Sequence, residues 1–213
     1  MTQRQRKHSE LFKGTDYQRG KKISELVAEK GDVELRGPIE EVVRLPQVSP
    51  GEALARITCG SDAIVIGTVT AKSSNIIKSG TFLFTDYEIA VTEVLKNNPA
   101  SAVNVGDTIT VPRLGGAVSL GGHVVRATDE TMAGLTTGKS YLLYLKFLPD
   151  SGTYRPLGHP AFDDTFQLQG EYVTQVSRKQ LPVEWKLPTP AGGFMREVRT
   201  ALSTDCASGG LHD

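Results

Sequence analysis

A histidine close to carboxylates is the first pattern in this chain with chemical potential. His159-Pro-Ala-Phe-Asp163-Asp164 sets an imidazole near two acidic side chains, and with Asp129-Glu130 it could build a divalent-cation site or a general base. The spacing follows no ligand rule, and His123 stands apart from it. Acidic doublets in loops are mostly solvated turn formers, so no cofactor is expected. Nucleophilic catalysis needs a serine or cysteine beside a base, and the chain has no Gly-x-Ser-x-Gly elbow. Cys59-Gly60-Ser61 comes closest, at a helix-to-strand junction where the turn itself wants glycine. Gly115-Gly-Ala-Val-Ser-Leu-Gly-Gly122 lacks the flanking strand, the helix and the Lys-Ser/Thr pair of a phosphate loop. No enzyme is expected.

The remaining lead is aromatic. In the run Phe82 to Leu95, Leu83, Thr85, Tyr87, Ile89 and Val91 share one face, which places Phe82 and Phe84 on the other. Barrels of the OB type bind oligonucleotides or glycans by stacking on such a face. Arg113, Arg126 and Arg155 would supply charge nearby, which makes these five residues the expected ligand-binding set. The competing expectation is that a bulge near Thr85, or cover by the leader or the tail, buries both rings.

The elements that must position these residues are mainly β. Ala63 to Ala71 reads as a strand of β-branched residues with a bulge or bend at Gly67, and Leu83 to Leu95 as the longest strand. Thr108 to Val111 is a third strand, ended by Pro112. A hairpin turns at Gly121-Gly122, and Lys139 to Leu148 is apolar on both faces and therefore central. Tyr154 to Leu157 and Phe166 to Gly170 close the set, with Gly170 to Val173 extending the last. Short helices flank it: Lys22 to Lys30, stopped by Gly31; Pro50 to Thr58, capped by Ser49 with Glu52; and Phe194 to Leu202, with apolar residues every fourth position. Ile39, Val42 and Val43 fit either a helical turn or a strand fragment. Residues 1 to 20 have no apolar periodicity and read as a flexible leader, and Leu181 to Pro190, which carries Trp185, reads as an extended proline-spaced arm. The division is 1–48 leader with short helices, 49–176 β domain, and 177–213 proline-rich arm with the C-terminal helix.

Composition narrows the partners. The 213 residues hold 24 basic and 24 acidic side chains, so no global field favours nucleic acid or an anionic membrane. No apolar run is long enough to span a bilayer, and the basic start is followed by polar residues instead of the core of a secretory signal. Cys59 and Cys206 are either two separate thiols or, in an oxidising compartment, a staple between the tail and the start of the β domain.

Four phrases carry a resemblance: Ser61-Asp-Ala-Ile-Val-Ile-Gly-Thr-Val69, Tyr87-Glu-Ile-Ala-Val-Thr-Glu-Val-Leu-Lys96, Val105-Gly-Asp-Thr-Ile-Thr-Val111 and Thr137-Gly-Lys-Ser-Tyr-Leu-Leu-Tyr-Leu145. From Asp62 to about Gln169 the chain resembles the netrin-like module, the barrel shared with tissue inhibitors of metalloproteinases and found in bacterial extracytoplasmic proteins. The resemblance implies a small antiparallel OB-type barrel with short flanking helices, an extracytoplasmic setting, and a loop or face offered to a macromolecular partner. Those inhibitors present an amino-terminal cysteine to the protease zinc. Here Cys59 lies behind a long leader, so inhibition does not transfer. The expected function is a non-enzymatic, protein-binding module; the alternative is a binder of single-stranded nucleic acid or glycan through the aromatic face.

Overall fold

The structure, a computed structural model, describes residues 1–12, 21–37, 48–129, 132–157, 164–176, 188–203 and 206. Ile39, Val42, Val43, Glu130, His159, Asp163, Trp185 and most of the proline-spaced arm lie outside them.

Eleven strands and four helices form among these residues. The helices are α1 (Gln3–Leu11), α2 (Ile23–Lys30), α3 (Pro50–Gly60) and α4 (Ala191–Leu202). The strands are β1 (Val33–Arg36), β2 (Ala63–Ile76), β3 (Leu83–Lys96), β4 (Thr108–Leu114), β5 (Gly116–Leu120), β6 (His123–Thr128), β7 (Ser140–Leu148), β8 (Thr153–Pro156), β9 (Thr165–Gln169), β10 (Tyr172–Gln175) and β11 (Thr189–Pro190).

The chain is mainly β, as expected, with one eight-stranded antiparallel sheet in the order β11-β10-β9-β7-β2-β3-β4, β8 also pairing with β7. β7 is central, with β2 on one side and β8 and β9 sharing the other. The expected closed cylinder is not what the hydrogen bonds make. β4 comes round to lie against β8, yet no backbone ladder joins them.

Two prolines explain the open seam. Gly115 N–H donates to Leu83 C=O and Val91 N–H donates to Asp107 C=O, which fixes the alternation along β4. The odd residues of β4 bond to β3, so Thr108, Thr110 and Pro112 turn their backbone groups outward. On β8, Leu157 N–H donates to Tyr144 C=O, so Tyr154 and Pro156 face outward by the same alternation. Pro112 and Pro156 have no N–H to give. Pro112 therefore does not end its strand, as its position in sequence suggests; it is tolerated within β4 because that strand is an edge.

The Gly121-Gly122 hairpin also departs from expectation. It leaves the large sheet and forms a second one, β1-β6-β5, in which β1 runs parallel to β6. The chain switches sheets at Gly115 and Gly116, with φ of 92° and 130°. A Cβ on Gly116 would stand 2.2 Å from Thr85 Oγ1.

Three apolar clusters result. Inside the curled sheet lie Val65, Tyr87, Ile89, Val111, Tyr141, Leu143 and their neighbours. Helices α3 and α4 cover the opposite side of β2 and β7 through Leu54, Ile57, Phe194 and Val198. Ile23, Leu26 and Val27 of α2, with Leu35 of β1 and Val125 of β6, pack on Phe82, Leu83 and Phe84.

Candidate functional site

The third cluster removes the expected aromatic face. Phe82 and Phe84 are both 0% exposed, because α2 and the small sheet lie on the start of β3 and Phe12, just past α1, sits 6.1 Å from the Phe84 ring. The leader is thus the cover that buries them. The arginines do not converge either. Arg126 is exposed on the small sheet, and Arg155 lies on β8 with its guanidinium near the Pro156 and Leu157 carbonyls. Arg113 is 1% exposed, and its Nη1 donates to Thr165 Oγ1 at 2.9 Å, a side-chain bridge from β4 to β9 across the unzipped seam. Thr165 Oγ1 passes the bond on to Asp164 Oδ1 at 2.9 Å, so a carboxylate balances the buried cation at one remove.

Residues 3–11, expected to be a flexible leader, form a docked helix. Thr2 caps it reciprocally: Gln5 N–H donates to Thr2 Oγ1 and Thr2 N–H donates to Gln5 Oε1. Its inner face carries His8, whose Nδ1 lies 2.7 Å from Asp86 Oδ1, with the two side chains 0% and 3% exposed. Ser9 beside it completes the residue types of a hydrolytic triad, but its geometry is wrong. Ser9 Oγ and His8 Nε2 are both buried without a hydrogen-bond partner among the described residues, so the hydroxyl does not reach the imidazole and no substrate can. The pair is a latch between α1 and β3. Each buried polar atom left unmet costs about 1–3 kcal/mol.

A second polar knot holds the end of α3. Lys96 Nζ donates to the Thr58 and Ser61 carbonyls at 2.8 and 2.6 Å, and Lys146 Nζ reaches Gly60 C=O at 3.3 Å and Asp62 Oδ1 at 2.8 Å. Cations there satisfy the orphan carbonyls and suit the negative end of the helix. Burial lowers the Lys96 ammonium's pKa, and Asp62 only partly offsets this. Burial would raise the Asp62 carboxyl, but the Lys146 bond, the Phe147 N–H at 2.8 Å and the two lysine charges outweigh it and hold it below its ordinary value. A depressed folded value stabilises above the ordinary carboxylate value of 3.8, and that contribution disappears as pH falls through the folded value. Asp62→Asn is therefore expected to flatten the loss of stability between about pH 5 and pH 2, measured as urea midpoints across that range. A variant as acid-sensitive as the parent would remove Asp62 from the account.

Cys59, in the last turn of α3, is disulfide-bonded to Cys206, just after α4, with the Cα atoms 5.3 Å apart. Of the two alternatives open in the sequence, the staple is the one formed. Among the described residues no three His, Cys, Asp or Glu side chains gather as metal ligands, and no helix is long and apolar enough to cross a membrane.

A concave feature lies along the seam. A cleft of about 340 Å³ is lined by the start of β4 (Asp107 to Thr110), by Gly152, Thr153 and Tyr154, by Ser101 to Val103 and by Arg4. Its walls are braced. Asn97 holds Val103 through both backbone groups at 2.8 and 2.9 Å, Asp107 Oδ2 accepts from Asn104 N–H at 2.8 Å, and Tyr154 Oη donates to Ser101 C=O. The outward backbone groups of Thr108, Thr110 and Tyr154 line two strand edges that no ladder joins among the described residues. The sequence marked Thr108 to Val111 and Tyr154 to Leu157 as strands but gave neither a binding role, and it read Pro112 as the end of its strand.

No protein-family model matches the chain, and no curated protein sequence matches it.

Proposed function

We propose that this protein is a non-enzymatic β module of the OB type, related in design to the netrin-like barrel, that binds an extended segment of a partner protein in an oxidising, extracytoplasmic compartment. The observation that carries the reading is the cleft at the β4–β8 seam, lined by the start of β4 and by Gly152 to Tyr154, where two strand edges lie side by side without forming a ladder. The succession β8-β7-β2-β3-β4, with β4 brought round to β8, supports the OB reading. Main-chain bonds from Thr108, Thr110 and Tyr154 would supply affinity. Arg4, Asp107 and the hydroxyls of Thr108, Thr110 and Thr153 would read the segment's side chains. The disulfide supports the compartment, since such bonds persist where the surroundings are oxidising. The nucleic-acid or glycan alternative loses its support, because it needs the buried Phe82 and Phe84.

Thr110→Pro tests the reading. It removes an outward N–H and leaves the β3 ladder intact, so a linear peptide selected from a displayed library on the full chain should bind the variant at least about tenfold more weakly, as expected for losing a buried hydrogen bond. The melting temperature should hardly move. Failure to select any peptide, or equal binding by the variant, would remove the cleft as the site.

A further inference from the structure

Three charges of α1 stand against its own helix dipole. Its first turn has no acidic residue and carries Arg4 and Arg6, while Glu10 stands in its last turn beside His8, the basic residue there. An isolated helix prefers the opposite order, and a nine-residue polar helix is marginal alone. The order does match the surface beneath. Arg4 meets Glu88 at 3.4 Å, His8 meets Asp86 at 2.7 Å, and Glu10 pairs with Lys78 at the far end. Gln5 Nε2 adds a bond to Ser73 Oγ at 3.3 Å, and Phe12 caps Phe84. The hairpin of β2 and β3 therefore carries a groove with an acidic end, an aromatic end and one basic residue, and α1 fits it as a ligand fits a site.

The fit is incomplete. The Arg4–Glu88 and Glu10–Lys78 pairs are largely solvated, and solvated pairs hold weakly. The buried latch leaves His8 Nε2, Ser9 Oγ and Asp86 Oδ2 without hydrogen-bond partners among the described residues.

We propose that this groove is a docking site for a basic helical segment of a partner protein, with α1 as the intramolecular stand-in that such a segment displaces. The partner's chemistry follows from the groove: a cation for Glu88, a cation or amide donor one helical turn later for Asp86, and an aromatic or aliphatic side chain for Phe84. The site adjoins the β4–β8 cleft and shares Arg4 with it, so a segment that displaces α1 also removes Arg4 from the cleft lining.

The probe is a fluorescein-labelled synthetic peptide of residues 1–12, titrated into full-length protein by anisotropy. Arg4→Glu turns the weak pair into a repulsion and loosens the stand-in on the protein, so labelled wild-type peptide should bind that variant about three- to tenfold tighter than it binds the parent. Adding Asp86→Asn to the groove should abolish the gain. The exchange Arg4→Glu with Glu88→Arg should restore the internal contact, so that neither the wild-type peptide nor one carrying the same Arg4→Glu change binds it better than the wild-type peptide binds the parent. Amide exchange across β2 and β3 identifies any variant that fails to fold, and the charge exchange then serves as the independent measure. The proposal is overturned if the wild-type peptide binds no variant, if binding ignores Asp86, or if α1 amides in the parent exchange as slowly as those of β3. Concentration-dependent dimers of the parent, formed by trading α1 between copies, would also overturn it, since the occupant would then be a second copy.

Discussion

Replacing both Cys59 and Cys206 by serine is expected to lower the melting temperature by about 5–15 °C, corresponding to a loss of about 2–5 kcal/mol for a chain of this size. The cysteines are 147 residues apart, so the bond closes most of the chain into one loop and strongly limits the unfolded ensemble. It also locks two surfaces that are already complementary. Phe194, Val198 and Ala201 of α4 are buried against Ala53, Leu54 and Ile57 of α3, beside Tyr144 and Phe166 of the sheet. With the bond gone those apolar contacts remain, so the fold should persist while α4 and the short β10–β11 ladder open first, visible as faster amide exchange there than in β2 or β3. Dithiothreitol should shift the parent to the variant's melting temperature and leave the variant where it is. An unchanged parent under reduction, with the variant equally stable, would mean that apolar packing alone secures the tail.

Local signals made the helices and most strands legible. Ser49 with Pro50 marks α3, Gly31 stops α2, and Phe194 and Val198 lie four residues apart on the buried face of α4, because these features act within one or two turns. The α1 helix was also marked, by Thr2 and Gln5, but its polar face gave no apolar stripe, and its buried residues are a histidine and a serine. A helix held by ion pairs to a distant hairpin has no periodicity of its own to read. The same limit hid the site. The alternation on β3 correctly sent Tyr87, Ile89 and Val91 inward, yet it could not say that α1, α2 and a second sheet would cover Phe82 and Phe84 from the other side. Likewise Cys59 and Cys206 were visible as residues, while their pairing depends on α4 returning to α3. The cleft is less legible still, being made of what two strands fail to do. Only the positions of Pro112 and Pro156, once register is known, say why the edges stay apart.

Gly67→Ala should cost about 2–3 kcal/mol, or about 5–10 °C in melting temperature, although it adds only one methyl group to the strand. The register between β2 and β3 slips at Ile66 and Gly67, where β3 carries an extra residue, so the strands bend together at this point. A Cβ on Gly67 would stand 2.5 Å from Ile89 Cγ2 and 2.8 Å from Ala90 C=O. The second neighbour is backbone and cannot rotate away, so β3 itself must move. That displacement would reach β4, which pairs with β3 through Ile89 and Ala90, and so the wall of the cleft at Thr108 and Ile109. Gly51→Ala is the control: it sits near the start of α3 with nothing within 4 Å of an added Cβ, and should be neutral or slightly stabilising. Parallel thermal melts of the two variants read the difference directly. If Gly67→Ala melts with the parent, the bend is not set by close approach of the strands, and the curl that brings β4 round to β8 must have another cause.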